Sequence, residues 1–250
     1  MKYTKKWNFK NSRLFFLFKI LKKLFKGHGN VLFAQGTHYI TSPSGGGKTL
    51  TSNFIIRTIT ERQGGFFWVN KNQYDEKITK TFDMTKLFVN GEQKYRLSIK
   101  DKHGRFSRGI IYDEFNAAYN RRMNRTTEYN ETFIPLIKSV VTHRHQGHPR
   151  IYILGQMKQD TQLQEIIQYK HVVNNSKSYS YWYFRERNLF ITVPKYLIIF
   201  SHIKIGEDSN GNATYKQIAK QKIKVTIELL ETYDTHAFAS MFDSLPEYQA

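Results

Sequence analysis

The stretch from Ile40 to Ser52, ITSPSGGGKTLTS, constrains this chain more than any other. The pattern G-x-x-x-x-G-K-[ST] lets backbone N–H groups at a strand-to-helix turn close around a phosphate, helped by the positive end of the helix. Gly47, Lys48 and Thr49 match the pattern, and Ser42 stands at its first glycine. That position mainly needs a small residue, so Ser42 is a mild departure. The context fits as well. THYITS, residues 37–42, reads as a short strand, and KTLTSNFIIRTITER sets Leu50, Phe54, Ile55 and Ile59 at helical spacing. Gly45, Gly46 and Gly47 permit close backbone approach. Lys48 is suited to neutralise the β- and γ-phosphates of ATP, and Thr49 to ligate Mg²⁺.

A loop of this kind needs a carboxylate at the end of a neighbouring strand, to hold Mg²⁺ through water. IIYDE supplies one: Asp113 follows Gly109, Ile110, Ile111 and Tyr112, and Glu114 comes next. Glu114 is the expected group to orient and deprotonate the attacking water. Next, THRHQGHPRIYILGQ runs from a basic, His-rich turn into a buried strand ending at Gln156. A polar residue at the tip of the strand beside the Mg²⁺-binding one can contact the γ-phosphate and sense its loss. Arg144 can reach a neighbouring subunit's site as an arginine finger, or bind DNA phosphate. His143, His145 and His148 read as a solvated turn, without a spacing diagnostic of a metal site.

The charge limits the partners. The formal net charge is +19, with 39 Lys and Arg against 20 Asp and Glu. Such an excess points to a polyanion, either nucleic acid or an anionic membrane surface. Codon bias of an AT-rich genome explains part of the lysine, but not the shortage of acids. No Asp or Glu precedes Glu61, and nine Lys or Arg fall in the first 26 residues. There Leu14, Phe15, Phe18, Leu21, Leu24 and Phe25 recur at spacings of three and four, with Lys19, Lys22, Lys23 and Lys26 between them. This is a basic amphipathic helix, too short and too often interrupted to span a bilayer. It can pack on its own domain, lie in a membrane interface through residues 13–26, or dock on a partner. The absence of cysteine excludes disulfides, thiolate zinc sites and cysteine nucleophiles.

Strands and helices alternate over residues 31–175: GGFFWVN, SRGIIYDEF and PRIYILGQ read as buried strands. ETFIPLIKSVVTHRH and DTQLQEIIQYK read as helices, the second capped by Asp160. Asn90-Gly91 marks a hairpin. From about residue 171 the chain turns β-branched and aromatic. The fold class expected is α/β: a P-loop NTPase with a mostly parallel central sheet flanked by helices, a β-rich C-terminal part and an N-terminal basic amphipathic helix. Its divisions are 1–30, the basic segment; 31–175, the ATPase core; and 176–250, a β-rich extension of the same domain.

SPSGGGKT, IIYDE and above all THRHQG followed by IYILGQ resemble the zonula occludens toxin family. That family's filamentous-phage members are assembly ATPases, and its broader relatives are the FtsK/HerA-like motors. Order and rough spacing agree over about residues 36–160. The resemblance implies an oligomeric ATPase that moves or exports phage DNA, in a ring with ATP at subunit interfaces, with a portal or membrane assembly protein as a further partner. The expected place is the cytoplasm of the infected bacterial host, with the inner face of the membrane as the alternative. The phage-extrusion members generally carry a membrane span after the ATPase domain, and no such segment is seen here. This favours a packaging motor, soluble or peripherally attached. The alternative is a membrane-peripheral ATPase that drives assembly and export without moving DNA itself.

DNA-facing candidates are Arg121, Arg122 and Arg125 in YNRRMNR, and Arg105 and Arg108 in DKHGRFSRG. Any of the first three is an alternative to Arg144 as the arginine acting across an interface. Basic loops of this kind contact phosphates without reading sequence. YSYWYFRER carries aromatics and arginines able to stack on bases, although alternation along a strand explains it more simply.

Overall fold

The strand expected before the glycine loop is β1 (Gly36–Thr41), and all six of its residues are buried. Burial on both faces is what the middle of a parallel sheet requires. The computed structural model describes residues 30–43, 45–70, 74–83, 86–89, 92–93, 95–113, 134, 137, 140, 146–155, 161–184 and 189–231. The basic segment 1–30 therefore falls, save its last residue, outside the described residues.

After the loop comes α1 (Lys48–Gln63), then β2 (Phe66–Val69), β3 (Thr79–Thr81), β4 (Phe88–Val89), β5 (Glu92–Gln93), β6 (Ser107–Tyr112) and β7 (Arg150–Gly155). A short helix α2 (Thr161–Ile166) leads to β8 (Tyr169–Asn175). The chain continues through β9 (Tyr179–Phe184), β10 (Leu189–Pro194), β11 (Tyr196–Glu207), β12 (Ala213–Lys224) and α3 (Ile227–Glu231). Eight strands form one sheet in the order β12-β11-β8-β1-β7-β6-β2-β3. From β8 to β3 every neighbour is parallel, while β11 pairs antiparallel with both β8 and β12. The hairpin read at Asn90-Gly91 is the β4–β5 pair, Phe88 opposite Gln93 and Val89 opposite Glu92.

This overturns the expected helix-flanked α/β class. Of the described residues, 46% lie in strands and 22% in helices, and the sheet is mixed. The reason lies in residues 196–224. A parallel addition to the β8 edge would need a crossover connection, usually a helix, but an antiparallel one needs only a turn. The turn is built by Asp208, whose carboxylate accepts from the backbone N–H of Asn210 at 2.9 Å and of Asn212 at 2.8 Å. Two twelve-residue strands follow from it. Among the described residues only α1, with sixteen residues, is a long helix; α2 and α3 have six and five.

Alternating side chains divide the core between the two faces of the sheet. On one face Ile55, Ile56 and Ile59 of α1 pack over Ile40, Tyr152, Leu154, Val173, Leu197 and Ile199. On the other, Tyr39, Ile110, Tyr112, Ile151 and Ile153 meet Ile137, Val140, Leu163 and Ile167. Ile134, Ile137 and Val140 are helical, as the spacing in IPLIKSVV suggests.

Within the α1 face runs a buried polar chain that sequence reading did not find. His38 and His171 join through Nδ1 and Nε2 at 2.9 Å, and His171 Nδ1 meets Ser201 Oγ at 2.9 Å. His38 Nε2 lies 2.9 Å from the carbonyl of Ala34, which can only accept. The tautomers follow: His38 Nε2–H donates to Ala34, His171 Nε2–H donates to His38 Nδ1, and Ser201 donates to His171 Nδ1. His38 stacks on Tyr152 and Tyr169, with ring centroids 4.6 and 4.9 Å away. Burial, then the nearby His38 and His202, push the pKa of His171 well below its ordinary value, so its imidazole stays neutral.

Candidate phosphate-binding site

Because β1 and β6 run parallel within one sheet, the glycine loop after β1 and Asp113 after β6 leave the same end of it, with β7 between them. The loop's shape comes from its own residues. Ser42 is fully buried, and its hydroxyl donates to the Pro43 carbonyl at 2.9 Å. That carbonyl also takes the N–H of Gly46 at 2.9 Å, closing a tight turn. Gly45 and Gly47 hold φ of 68° and 89°, which side-chain-bearing residues rarely adopt. A Cβ on Gly46 would lie 2.6 Å from Ser42 Oγ and 2.8 Å from the Pro43 oxygen. The serine at the first position thus fits the loop and is packed into it.

Gly47 caps α1, and Lys48 and Thr49, both half-buried, begin the helix. The Lys48 ammonium reaches back toward the Ser42 carbonyl at 3.4 Å and its hydroxyl at 3.5 Å, both long contacts. Asn175, at the end of β8, donates from Nδ2 to the Gly45 carbonyl at 3.2 Å. The hydroxyl of Thr41, last in β1, is buried without a hydrogen-bond partner among the described residues, as is Asn175 Oδ1.

Asp113 is 2% exposed and held from two sides. Asn70, just past β2, clamps its backbone: Nδ2 donates to the Asp113 carbonyl at 3.0 Å, and the Asp113 N–H donates to Oδ1 at 2.7 Å. Tyr74 Oη donates to the carboxylate Oδ2 at 3.1 Å. Tyr74 also meets Ser52 Oγ at 2.9 Å, and Ser52 contacts the Thr49 carbonyl at 2.8 Å. Since the phenol's proton goes to the carboxylate, the Ser52 proton is shared between Tyr74 and Thr49. A continuous polar chain thus ties the first turn of α1 to Asp113. Sequence reading missed Asn70, Tyr74 and Asn175; Asn70 and Asn175 are marked by their places at strand ends, and Tyr74, between β2 and β3, by its contact with Asp113.

Glu114, Arg121, Arg122, Arg125, Arg144, Gln156, His143 and His145 lie outside the described residues. Gln156 directly follows Gly155, the last residue of β7. Arg105 and Arg108 sit at the opposite end of β6. Arg108 donates to the carbonyls of Gly64, at 2.9 Å, and Gln63, so it caps the C-terminal end of α1. Arg105 donates to Asp101 at 2.8 Å and to the Lys77 carbonyl at 2.8 Å. Partial desolvation raises the Asp101 pKa, but hydrogen bonds from Arg105 and His103 outweigh it and hold it at about 2. His148 is not in a solvated turn: it is buried, accepts from Ser107 at 2.9 Å and donates to the Leu97 carbonyl at 3.1 Å. Burial lowers its pKa. Among the described residues no cluster of His, Asp and Glu is arranged to hold a metal by itself, and no helix is long and apolar enough to cross a membrane.

Fold and site together define a class: strand-dominated mixed-sheet proteins whose glycine loop and buried carboxylate share one end of the parallel strands. No protein-family model matches the chain. It is 30% identical over 227 residues to the "Uncharacterized 37.2 kDa protein" of Acholeplasma phage L2, covering 86% of this chain and 71% of the phage protein. The chain belongs to the family of that phage protein.

Proposed function

We propose that residues 42–49 bind the phosphates of ATP, that the chain hydrolyses it, and that turnover drives DNA movement during phage assembly, as in the zonula occludens toxin-like ATPases it resembles. One observation carries this reading: Asp113 is buried, gripped by Asn70 and Tyr74, and wired through Ser52 to the helix that the glycine loop opens. A surface acid ending a strand by chance has no need of such support. The phage origin of the relative is in keeping with the reading.

The residues suit Mg²⁺. A hydroxyl and a carboxylate are hard oxygen donors, and the Gly46 cradle is one that a Cβ would fill. Thr49 and Asp113 would hold the ion, which when bound supplies charge neutralisation between the β- and γ-phosphates. The chain's own residues do the rest. Backbone N–H groups of the loop orient the phosphates, and Lys48 swings from Ser42 onto their oxygens. Asn70 and Tyr74 keep the Asp113 carboxylate aimed. Glu114 takes the proton of the attacking water, Gln156 contacts the γ-phosphate, and an arginine of a neighbouring copy, Arg144 or one of Arg121, Arg122 and Arg125, completes the site.

The test is steady-state ATP hydrolysis by the full chain with and without double-stranded DNA. DNA should stimulate turnover, and Lys48→Ala should lower it by about 10²-fold or more. Mg²⁺-dependent turnover that Lys48→Ala leaves intact would remove the loop from its role. Turnover indifferent to DNA would favour the membrane-peripheral export reading.

A further inference from the structure

The hairpin that made the sheet mixed also gives it an open face. Cross-strand partners share a face, so the registers define its composition. Lys170, Val172 and Asn174 of β8 lie opposite His202, Phe200 and Ile198 of β11. Across β11, Phe200, Ile198 and Tyr196 lie opposite Lys220, Lys222 and Lys224 of β12. These positions include four lysines and no acid. Tyr196, Ile198 and Phe200 are half-buried, and Lys220, Lys222 and Lys224 are exposed. The opposite face of the same strands packs Leu197, Ile199 and Ile223 into the α1 core. Sequence reading had placed the DNA contacts on arginine loops and passed over these strands.

The aromatic rings are already held by cations. Lys222 Nζ stands 3.8 Å from the Tyr196 ring centroid, with Lys195 on the same ring at 5.9 Å. Lys220 lies 5.2 Å from the ring centroid of Phe200. An ammonium over a ring marks a π-face that a second flat group can take, provided the ammonium gains a better anion nearby. Successive lysines on one side of a strand stand roughly 6.7 Å apart, a spacing that suits the phosphates of an extended chain. Bases carried by those phosphates would then take the rings.

We propose that this face of β8, β11 and β12 binds a single strand of nucleic acid, with bases on Tyr196 and Phe200 and phosphates on Lys195, Lys220, Lys222 and Lys224. The strand is single because a duplex hides the base faces the rings need, and because backbone charge with stacking is how sequence-tolerant single-strand binding works. Charge complementarity selects the occupant: the chain carries +19, and the lysines among these cross-strand positions face no acid there. The proposal does not depend on ATP hydrolysis, because binding is measured without nucleotide.

The experiment is fluorescence anisotropy of a labelled oligothymidylate with the full chain, at about 50 and 200 mM salt. Wild type should bind, more weakly at the higher salt. Replacing Lys220, Lys222 and Lys224 together by Glu should weaken binding at least tenfold and flatten the salt dependence. Tyr196→Leu with Phe200→Leu keeps both positions apolar while removing the rings, and should weaken it by about fivefold or more. Both variants are compared at wild-type melting temperature, and Lys220→Gln with Lys222→Gln replaces either one that melts lower. An oligouridylate binding equally well would extend the site to RNA chemistry. Unchanged affinity in the variants would overturn the proposal, as would duplex or anionic phospholipid vesicles competing as well as the single strand.

Discussion

At Ser42 the chain departs from the phosphate-loop pattern, and its surroundings accommodate the side chain. The side chain is buried in the turn, bonded to Pro43, and replaces no contact that a glycine would have made. Gly46 and Gly47 are the strict positions: a Cβ on Gly47 would lie 2.7 Å from Leu197 Cδ2. The motif pointed to the residues proposed to face a phosphate. It was silent on Tyr74, thirty-nine positions from the carboxylate it holds. Tyr74→Phe should cost about 1–3 kcal/mol in urea unfolding, because a buried carboxylate loses a donor. It should also lower ATP turnover; a variant matching wild type in both would leave the tyrosine without a part in the site. Glu114→Gln should retain ATP, judged by titration with a fluorescent analogue, and lose turnover by about 10²-fold. Hydrolysis near the wild-type rate would assign the proton to another base.

Elements were legible where one period dominated. β1, α1, β2, β6 and β7 fall where alternation, helical spacing and continuous apolar runs put them, since each buries its pattern within its own length. The pairing of β11 was not legible, because a strand with one buried and one half-open face fits either a parallel or an antiparallel neighbour. The same pairing created the His38–His171–Ser201 chain, drawn from three strands. It makes a pH prediction. The pKa of His171 is lowered on folding, so the unfolded chain binds the extra proton. The contribution is therefore complete above the unfolded value near 6.5 and is lost as pH falls toward the folded one. The unfolding free energy from urea titrations should fall below about pH 6.5, by up to about 1.4 kcal/mol per pH unit. His171→Gln should flatten that slope; an unchanged slope would place the titration elsewhere.

The described residues centre on an eight-stranded sheet, which offers two separate candidate sites. The parallel strands gather the loop and the carboxylate at one end, and the antiparallel hairpin spreads lysine and aromatic side chains over an open face. An arginine supplied by a neighbour makes assembly part of the proposed activity. Sedimentation velocity of Glu114→Gln with ATP and Mg²⁺ should show a closed oligomer that disperses without nucleotide; a monomer under both conditions would confine the site to one chain. By itself the sequence determined the loop, its helix, the strand that ends in Asp113 and the excess of positive charge, because each is written in contiguous residues with short-range physics. Only the tertiary structure decided that strand outweighs helix, that Asn70 and Tyr74 grip the carboxylate, that Arg108 caps a helix, and that two histidines share a proton chain. Those depend on which strands become neighbours, and neighbours in a sheet are chosen by burial across the whole chain, not by adjacency along it.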